Sequence, residues 1–558
     1  MFRTISRYTV RGRSALSLPF RQSQSLTMSS SPSITPLKKR AVVSSFIFKY
    51  DENGNNPQVA LFRRSDKVST YQHHLAPISG SIDQTDASPL AAAWREIHEE
   101  TTLTPSSLTL LRQGKSYVFS DPSIGREWTI HPFMFQLRNP AADQKKLTID
   151  WEHDSWAWYD PSTVQDTEAF GGVPRLAESL RRVWFERDLG AAAGKVLADG
   201  LAKLRTDYTS GARQLAGEAL VILRDVVAAL DAPSGTDIYA ANVKWWANVR
   251  FAAWHIWKNG RESMGAAIMN ALLSALTKIS TLVSPPLLSV NSSLEANAIA
   301  CIDANIASRD ASAGLIAKAF RLYLTKTFPA KLDREPDAPP LAILTLSSSS
   351  TILSALTHLS LTSSFALDIR VLESRPLCEG VSLAAALART FGPQHKITLY
   401  TDASVALASQ GVDVVVIGAD RIAESGAVSN KTGSLAALLA ARFVTSTGGE
   451  EGRAKVVVLS EAEKIAGPGR AEEHVVEELD PGMVMAGWEG DAAAEVRSLV
   501  GRPDRERAKL EVKNVSFEWC PAELVDVYLT EDGEWGREYA AAVSRRVGEE
   551  EGMFFGSL

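Results

Sequence analysis

From Leu341 to Leu459 the chain alternates short apolar runs with helix-patterned segments. The runs are Leu341 to Leu346, Ala366 to Leu372, Lys396 to Tyr400, Val412 to Ile417 and Lys455 to Leu459. The helical segments are Thr351 to Leu356, Ser382 to Thr390 and Gly433 to Phe443. A strand of nearly continuous Val, Ile and Leu has no polar face, so both of its faces must be covered. Helices interleaved with such strands supply that cover, which implies an α/β doubly wound, Rossmann-like parallel sheet over residues 336–545. Ligands in these sheets sit beyond the carboxyl ends of the strands. Ser347 to Ser350, Glu373 to Pro376, Thr401-Asp402 and Gly418 to Arg421 stand there. With Asn430-Lys431 they form a candidate pocket for a phosphorylated sugar or nucleotide, in which Ser347, Arg375, Asp420, Asn430 and Lys431 are the ligand-binding residues.

Residues 186–335 carry helical periodicity, broken at Pro233 to Thr236 and at Ser284-Pro285-Pro286, and read as a helical subdomain. Trp245, Trp246, Trp254 and Trp257 fall at helical spacing, as a packed core stripe does. Ser210 to Arg213 opens one helix. Its free N–H groups, with Gly211 and Arg213, can take a phosphate, and the same residues also read as an ordinary helix start.

Residues 41–185 read differently. Ala41 to Phe48 and Val59 to Phe62 flank a turn and form a hairpin. Strands follow near Ser116 to Phe119, Trp128 to Phe135 and Trp156 to Tyr159, with a final helix from Val173 to Trp184. Between them lies a helix introduced by Asp86-Ala87-Ser88-Pro89 and ending in Arg95-Glu96-Ile97-His98-Glu99-Glu100. Glu96, Glu99 and Glu100 share one face of that helix. Alone, such a triplet is more often a solvated acidic surface. With substrate phosphates completing the shell, the same oxygens suit Mg²⁺ or Mn²⁺.

The 558 residues bear a formal net charge of −6, which gives no general pull toward nucleic acid. Three scattered cysteines, Cys301, Cys378 and Cys520, make neither a disulfide framework nor a zinc knuckle. They fit a reducing compartment rather than secretion. No apolar run has the length of a membrane span. Residues 1–40 are basic and serine-rich, with Arg3, Arg7, Arg11, Arg13 and Arg21 and no acid. That composition fits either a mitochondrial transit segment or a disordered tail of a cytoplasmic protein, and Met28 offers a second start.

The motif around the acidic helix resembles the Nudix hydrolase family, whose pattern ends in Arg-Glu-U-x-Glu-Glu-x-Gly-U, with U aliphatic. Arg95, Glu96, Ile97, Glu99, Glu100 and Leu103 match it. In strict register the leading Gly falls on Ser81, one place after Gly80. The first Glu falls on Ala87, with Asp86 beside it, and the late Gly falls on Thr102. The resemblance implies an α+β domain hydrolysing a nucleoside diphosphate derivative with Mg²⁺ or Mn²⁺. Glu99 and Glu100 would be the main metal ligands, Glu96 a further ligand or base, and Arg95 the group that holds the carboxylates.

The larger part of the chain is similar to the family uniting the α, β and δ subunits of translation initiation factor 2B with sugar-phosphate isomerases. The shared words are Glu373-Ser374-Arg375-Pro376, Thr401-Asp402-Ala403, Gly418-Ala419-Asp420-Arg421-Ile422, Asn430-Lys431-Thr432-Gly433 and Val512-Lys513-Asn514 through Asp526. The resemblance implies a homo-oligomer paired through the sheet domain, with Arg375 and Lys431 on phosphate. Its isomerases use a Cys and an Asp. Asp420 matches the Asp, and Ser347 stands where the Cys belongs. A hydroxyl is a far weaker acid than a thiol. Three readings follow: a Nudix pyrophosphohydrolase with a ligand-binding second half, a translation-factor-like binding and assembly protein with a weakened Nudix half, and an aldose–ketose isomerase.

Overall fold

The computed structural model describes residues 37–52, 54–207, 210–233, 236–283, 294–309, 311–331, 339–446, 452–469, 478–500 and 509–558. The transit-like segment therefore lies, up to residue 36, outside the described residues.

The first sheet is built from β1 (Lys38–Lys49), β2 (Gln58–Arg64), β3 (Leu75–Ala76), β4 (Leu108–Gln113), β5 (Tyr117–Asp121), β6 (Arg126–Leu137) and β7 (His153–Tyr159). Its order is β3-β2-β1-β6-β4, with β5 on β6 and β7 on β2. The expected hairpin is present, since β1 and β2 pair antiparallel with Ile47 opposite Ala60. β1 also runs parallel to β6. Being central, β1 is apolar on both sides. Val43 and Ile47 face Ala92, Ala93 and Ile97 of helix α1 (Pro89–Thr101), whereas Phe46 and Phe48 face Leu176, Leu180 and Val183. Alternation along a strand sends successive side chains to opposite faces, so the sheet is a filling between two helical layers. The helix expected from Val173 to Trp184 is confined to Leu176–Arg181. Val173 cannot join it, because its N–H bonds the carbonyl of Leu75 at 2.9 Å and extends the sheet edge instead.

Five helices follow: Glu186–Thr206, Ala212–Ala229, Ile238–Asn259, Gly265–Ser280 and Leu294–Arg309. They bury one apolar core; of the four tryptophans of the stripe, Trp245 and Trp254 lie inside it, and Trp246 and Trp257 are partly buried against it. A further helix, Ser312–Thr327, belongs to the second sheet. Its Ile316, Phe320 and Leu324 pack with Ile343 and Leu356.

That sheet is made of β8 (Leu341–Leu346), β9 (Leu367–Leu372), β10 (Lys396–Tyr400), β11 (Val414–Ile417), β14 (Lys455–Leu459), β16 (Val527–Thr530) and β17 (Gly533–Trp535). The order is β10-β9-β8-β11-β14-β16-β17, parallel except for the hairpin partner β17. The chain winds outward one way from β8 and then the other way from β11, so the order reverses between these two strands. A small antiparallel sheet of β12 (Arg421–Ile422), β13 (Val428–Lys431) and β15 (Phe517–Cys520) stands beyond their carboxyl ends. The last helix, Arg537–Phe555, runs past residue 545 and buries Phe554 and Phe555 in the helical core.

The two halves touch along β4. The Asn259 side chain accepts from the N–H of Gln113 at 2.7 Å and donates to its carbonyl at 2.9 Å, as a neighbouring strand would. Beside it Arg112 forms a two-pronged pair with Glu186, both bonds at 2.8 Å, and stacks on Phe185.

Candidate functional sites

Helix α1 presents the acidic motif. Ser88 caps it, accepting from Ala91 N–H at 3.1 Å, and Pro89 occupies its first turn, where no N–H is needed. Thr102 closes it at φ 61°, the left-handed position where the family pattern has Gly. Arg95 is the hub of the face. Its Nε and Nη2 donate to the Asp86 carboxylate at 3.1 and 2.8 Å, and Nη2 also reaches the Ser81 carbonyl at 3.0 Å. Nη1 donates to Glu96 at 2.8 Å and to Glu99 at 3.1 Å. Asp86 thus supplies the anion that Ala87 cannot, and Arg95 draws it below the usual carboxylate range. Gly80 faces Glu96 so closely that an added Cβ would lie 2.0 Å from its carboxyl carbon. The loop shifted by one residue therefore still delivers a glycine where backbone must meet carboxylate.

The three glutamates have distinct surroundings. Glu99 is 55% exposed. Glu96 is half-buried, and burial raises its pKa against the pull of Arg95. Glu100 is 3% exposed, its Oε1 has no hydrogen-bond partner, and its Oε2 lies 3.5 Å from His153 Nε2. Burial, then the charges of Glu152, Glu96 and Asp150, push Glu100 well above the carboxylate range. Burial also lowers His153 to about 4, so it stays neutral at pH 7 and offers Glu100 no cation. Glu152 is a carboxylate the motif did not reveal. It enters from the turn before β7 and is itself raised by burial and by Asp150. His98, by contrast, points to solvent.

A cavity of about 310 Å³ opens beside this face. Glu96, Glu152, Arg64 and Gly80 line it together with Tyr71, Tyr117, Phe119 and Trp128. Glu99 and Glu100 are not on its wall. Among the described residues no three acidic, histidine or cysteine side chains converge on one point as a closed metal cage. The donor chemistry nonetheless fits a hard cation: every donor is an oxygen, and one buried carboxylate oxygen lacks a partner.

The second cavity, about 320 Å³, lies where the order of the large sheet reverses. Gly211, Arg213, Ser347, Asp420, Asn430 and Lys431, all singled out in the sequence, line it. Arg375 does not. Its backbone N–H and that of Ser374 donate to Asp402 at 2.8 and 2.9 Å. Its guanidinium is turned against Gly487, where a Cβ would sit 2.3 Å from Nη2, in a small adjoining pocket. Two helix N-termini open on the main cavity, at Gly211 and at Ser349.

Arg261, Lys464 and Glu379 also line it, and pattern reading missed them because each lies outside the matched words. Lys464 is buried and bonds Glu461 at 3.0 Å. Burial opposes the charge on Glu461, yet Lys464 and a Thr351 hydroxyl at 2.9 Å hold its pKa at about 2. Ser347 adopts φ 64° and donates its hydroxyl to Glu379 at 3.3 Å, while Lys431 reaches the other Glu379 oxygen at 3.3 Å.

Two family models match the sequence: NUDIX domain over residues 39–183, and Initiation factor 2 subunit family over residues 260–536. The chain joins a NUDIX domain to a domain of the initiation factor 2 subunit family. The NUDIX part holds the acidic helix and the first cavity, and most of the second cavity lies in the other domain.

A probable bifunctional methylthioribose-1-phosphate isomerase/methylthioribulose-1-phosphate dehydratase of Nocardia farcinica is 32% identical over 30% of this chain and 26% of its own length. A methylthioribose-1-phosphate isomerase of Pelotomaculum thermopropionicum is 32% identical over 29% of this chain and 39% of its own. The chain thus matches less than half the length of either relative. Among solved structures, the translation initiation factor eIF-2B of Pyrococcus horikoshii covers 61% of this chain and 96% of its own at 18% identity and a TM-score of 0.40. The 5-methylthioribose 1-phosphate isomerase of the same organism covers 65% and 88% at 17% identity and a TM-score of 0.40. Among the described residues no helix is long and apolar enough to cross a membrane.

Proposed function

We propose that the NUDIX domain hydrolyses the phosphoanhydride bond of a nucleoside diphosphate derivative. The observation that carries this reading is the partnerless buried oxygen of Glu100 beneath Glu96 and Glu152, on a helix face braced by Arg95 and Asp86. An anion held in that surrounding is costly unless a cation joins it. Glu96, Glu99, Glu100 and Glu152 would hold Mg²⁺ or Mn²⁺, which supplies charge neutralisation on the phosphoryl oxygens. Arg95 fixes the rotamers of Glu96 and Glu99. Arg64, on the cavity wall, is placed to meet phosphate oxygen, and Glu96, kept basic by burial, is placed to take a proton from attacking water. The test is release of nucleotide or phosphate from a panel of nucleoside diphosphate derivatives with Mg²⁺ and with Mn²⁺. Glu99→Gln/Glu100→Gln is expected to lower the rate by about 100-fold or more. Equal rates in both proteins would refute the assignment.

The second cavity supports a further reading, that the initiation-factor-like domain binds a phosphorylated sugar. Arg213, Arg261, Lys431 and Lys464 meet two helix N-termini around one space, a combination that suits phosphate. The relatives named for methylthioribose 1-phosphate point to the same ligand class. Pairing of two copies through the sheet domain, as in a translation-factor-like assembly, fits the exposed apolar side chains of Leu407, Leu439 and Phe443.

A further inference from the structure

The thiol expected after β8 is replaced by Ser347, yet the cavity keeps two carboxyl groups, Glu379 and Asp420, on its wall. They are held differently. Glu379 is paired with Lys431 at one oxygen and accepts the Ser347 hydroxyl at the other, each at 3.3 Å. These two contacts aim its carboxyl group into the cavity. Asp420 stands at the end of β11, where its N–H bonds the Ser429 carbonyl at 2.9 Å. Burial raises its pKa despite Lys464 and Lys431, and the nearby Glu379 charge adds to the rise. One carboxyl aimed by two contacts and one buried just beyond β11 thus line the same space, an arrangement that can serve a base and an acid.

We propose that Glu379 takes the place of the missing thiol, and that Glu379 and Asp420 together isomerise a sugar 1-phosphate to the ketose 1-phosphate. This rests on the sugar-phosphate reading of the cavity. Asp420 gives its proton to the ring oxygen O4 as the C1–O4 bond breaks, with the electron pair leaving on O4. The Glu379 carboxylate takes the C2 proton, and the C2–H pair becomes the C1=C2 bond of an enol phosphate. Glu379 then returns that proton to C1 while the O2–H pair closes the C2=O bond. The proton from O2 goes to the Asp420 carboxylate. Both groups end as they began, the phosphate stays on O1, and no oxidant or co-reactant is needed. Ser347 is a positioning residue here, because its hydroxyl acts through Glu379. The two helix N-termini and Lys464 hold the phosphate and play no part in the proton transfers.

The test uses the full chain with 5-methylthioribose 1-phosphate, following binding by calorimetry and conversion by NMR in D₂O. Wild type is expected to bind and to convert the sugar, with partial deuterium entry at C1 from exchange on Glu379. Glu379→Gln is expected to bind within about threefold of wild type and to lose about 100-fold or more in rate. Ser347→Ala is expected to lose less than Glu379→Gln, and Ser347→Cys to retain turnover. Wild type that binds without converting, or Glu379→Gln that converts at the wild-type rate, overturns the proposal while leaving the binding reading intact. Wild type that does not bind overturns that reading and the proposal with it.

Discussion

At the scale of single residues, two of the three departures from the acidic motif have a neighbour in the place of the expected residue, Gly80 beside Ser81 and Asp86 beside Ala87, while Thr102 itself takes the left-handed turn. Asp86 stands one place from the expected Glu and still clasps Arg95 through two hydrogen bonds. Residues that hold metal ligands from behind typically matter about 10–100-fold for metal affinity. Asp86→Ala is therefore expected to weaken Mn²⁺ binding by about 10-fold or more, read by titration calorimetry, while the fold persists. A second residue ties stability to pH. Burial raises Glu531 from 4.5 to about 7, although the Ala462 N–H bonds its carboxylate at 3.0 Å. Through that window the folded chain keeps a proton that the unfolded chain has lost, so stability falls as pH rises from about 4.5 to about 7. Glu531→Gln should flatten this part of a Tm-against-pH curve. A variant with the wild-type slope would show that another group titrates there.

Among elements, helix α1 shows how local signals and packing agree. Its cap, its first-turn proline and its three glutamates are all sequence features, but the acidic face matters only because Ala92, Ala93 and Ile97 seat the helix on the sheet. Gly80 then lets the backbone approach Glu96, a closeness that no β-carbon permits. Helix Ser434–Thr445 shows the opposite side of packing. Ala437, Leu438 and Ala441 are buried under the sheet domain, while Leu439 and Phe443 face out, Phe443 being 81% exposed. A second copy covering that face would remove the apolar surface from water. Phe443→Glu is expected to shift the molar mass measured by light scattering from dimer to monomer. A monomeric wild type would refute the pairing.

Across the whole molecule, the halves are joined at β4 through side chains that act as backbone. Asn259 serves both hydrogen-bonding groups of Gln113, and Arg112 reaches over to Glu186. Asn259→Ala leaves a part-buried N–H and a part-buried carbonyl without these partners, at a cost of about 1 kcal/mol for each. Calorimetry should show one melting transition in the wild type and two in the variant; a single transition in both would mean the halves are coupled elsewhere. The sequence alone determined the parallel sheet, since apolar runs without a polar face have few other destinations. It also determined the acidic helix, since Glu96, Glu99 and Glu100 share a face at any helical geometry. Six of the seven second-cavity residues singled out, all but Arg375, do line one space: Ser347 and Asp420 follow the parallel strands β8 and β11, while β13 brings Asn430 and Lys431, and a helix start brings Gly211 and Arg213, to the same edge. Arg375 was misplaced because Asp402, far along the chain, turns its backbone. Glu152, Glu379 and Lys464 were missed because a carboxylate or an amine carries no local sign of what it will face. Helix Arg95 to Glu100 could thus be found by spacing, but which of its carboxylates is buried and left without a partner was decided only by the tertiary structure, through the packing of β7 and its preceding turn over Glu100. Burial and long-range charge depend on distance in space, and the order of residues along the chain does not contain it.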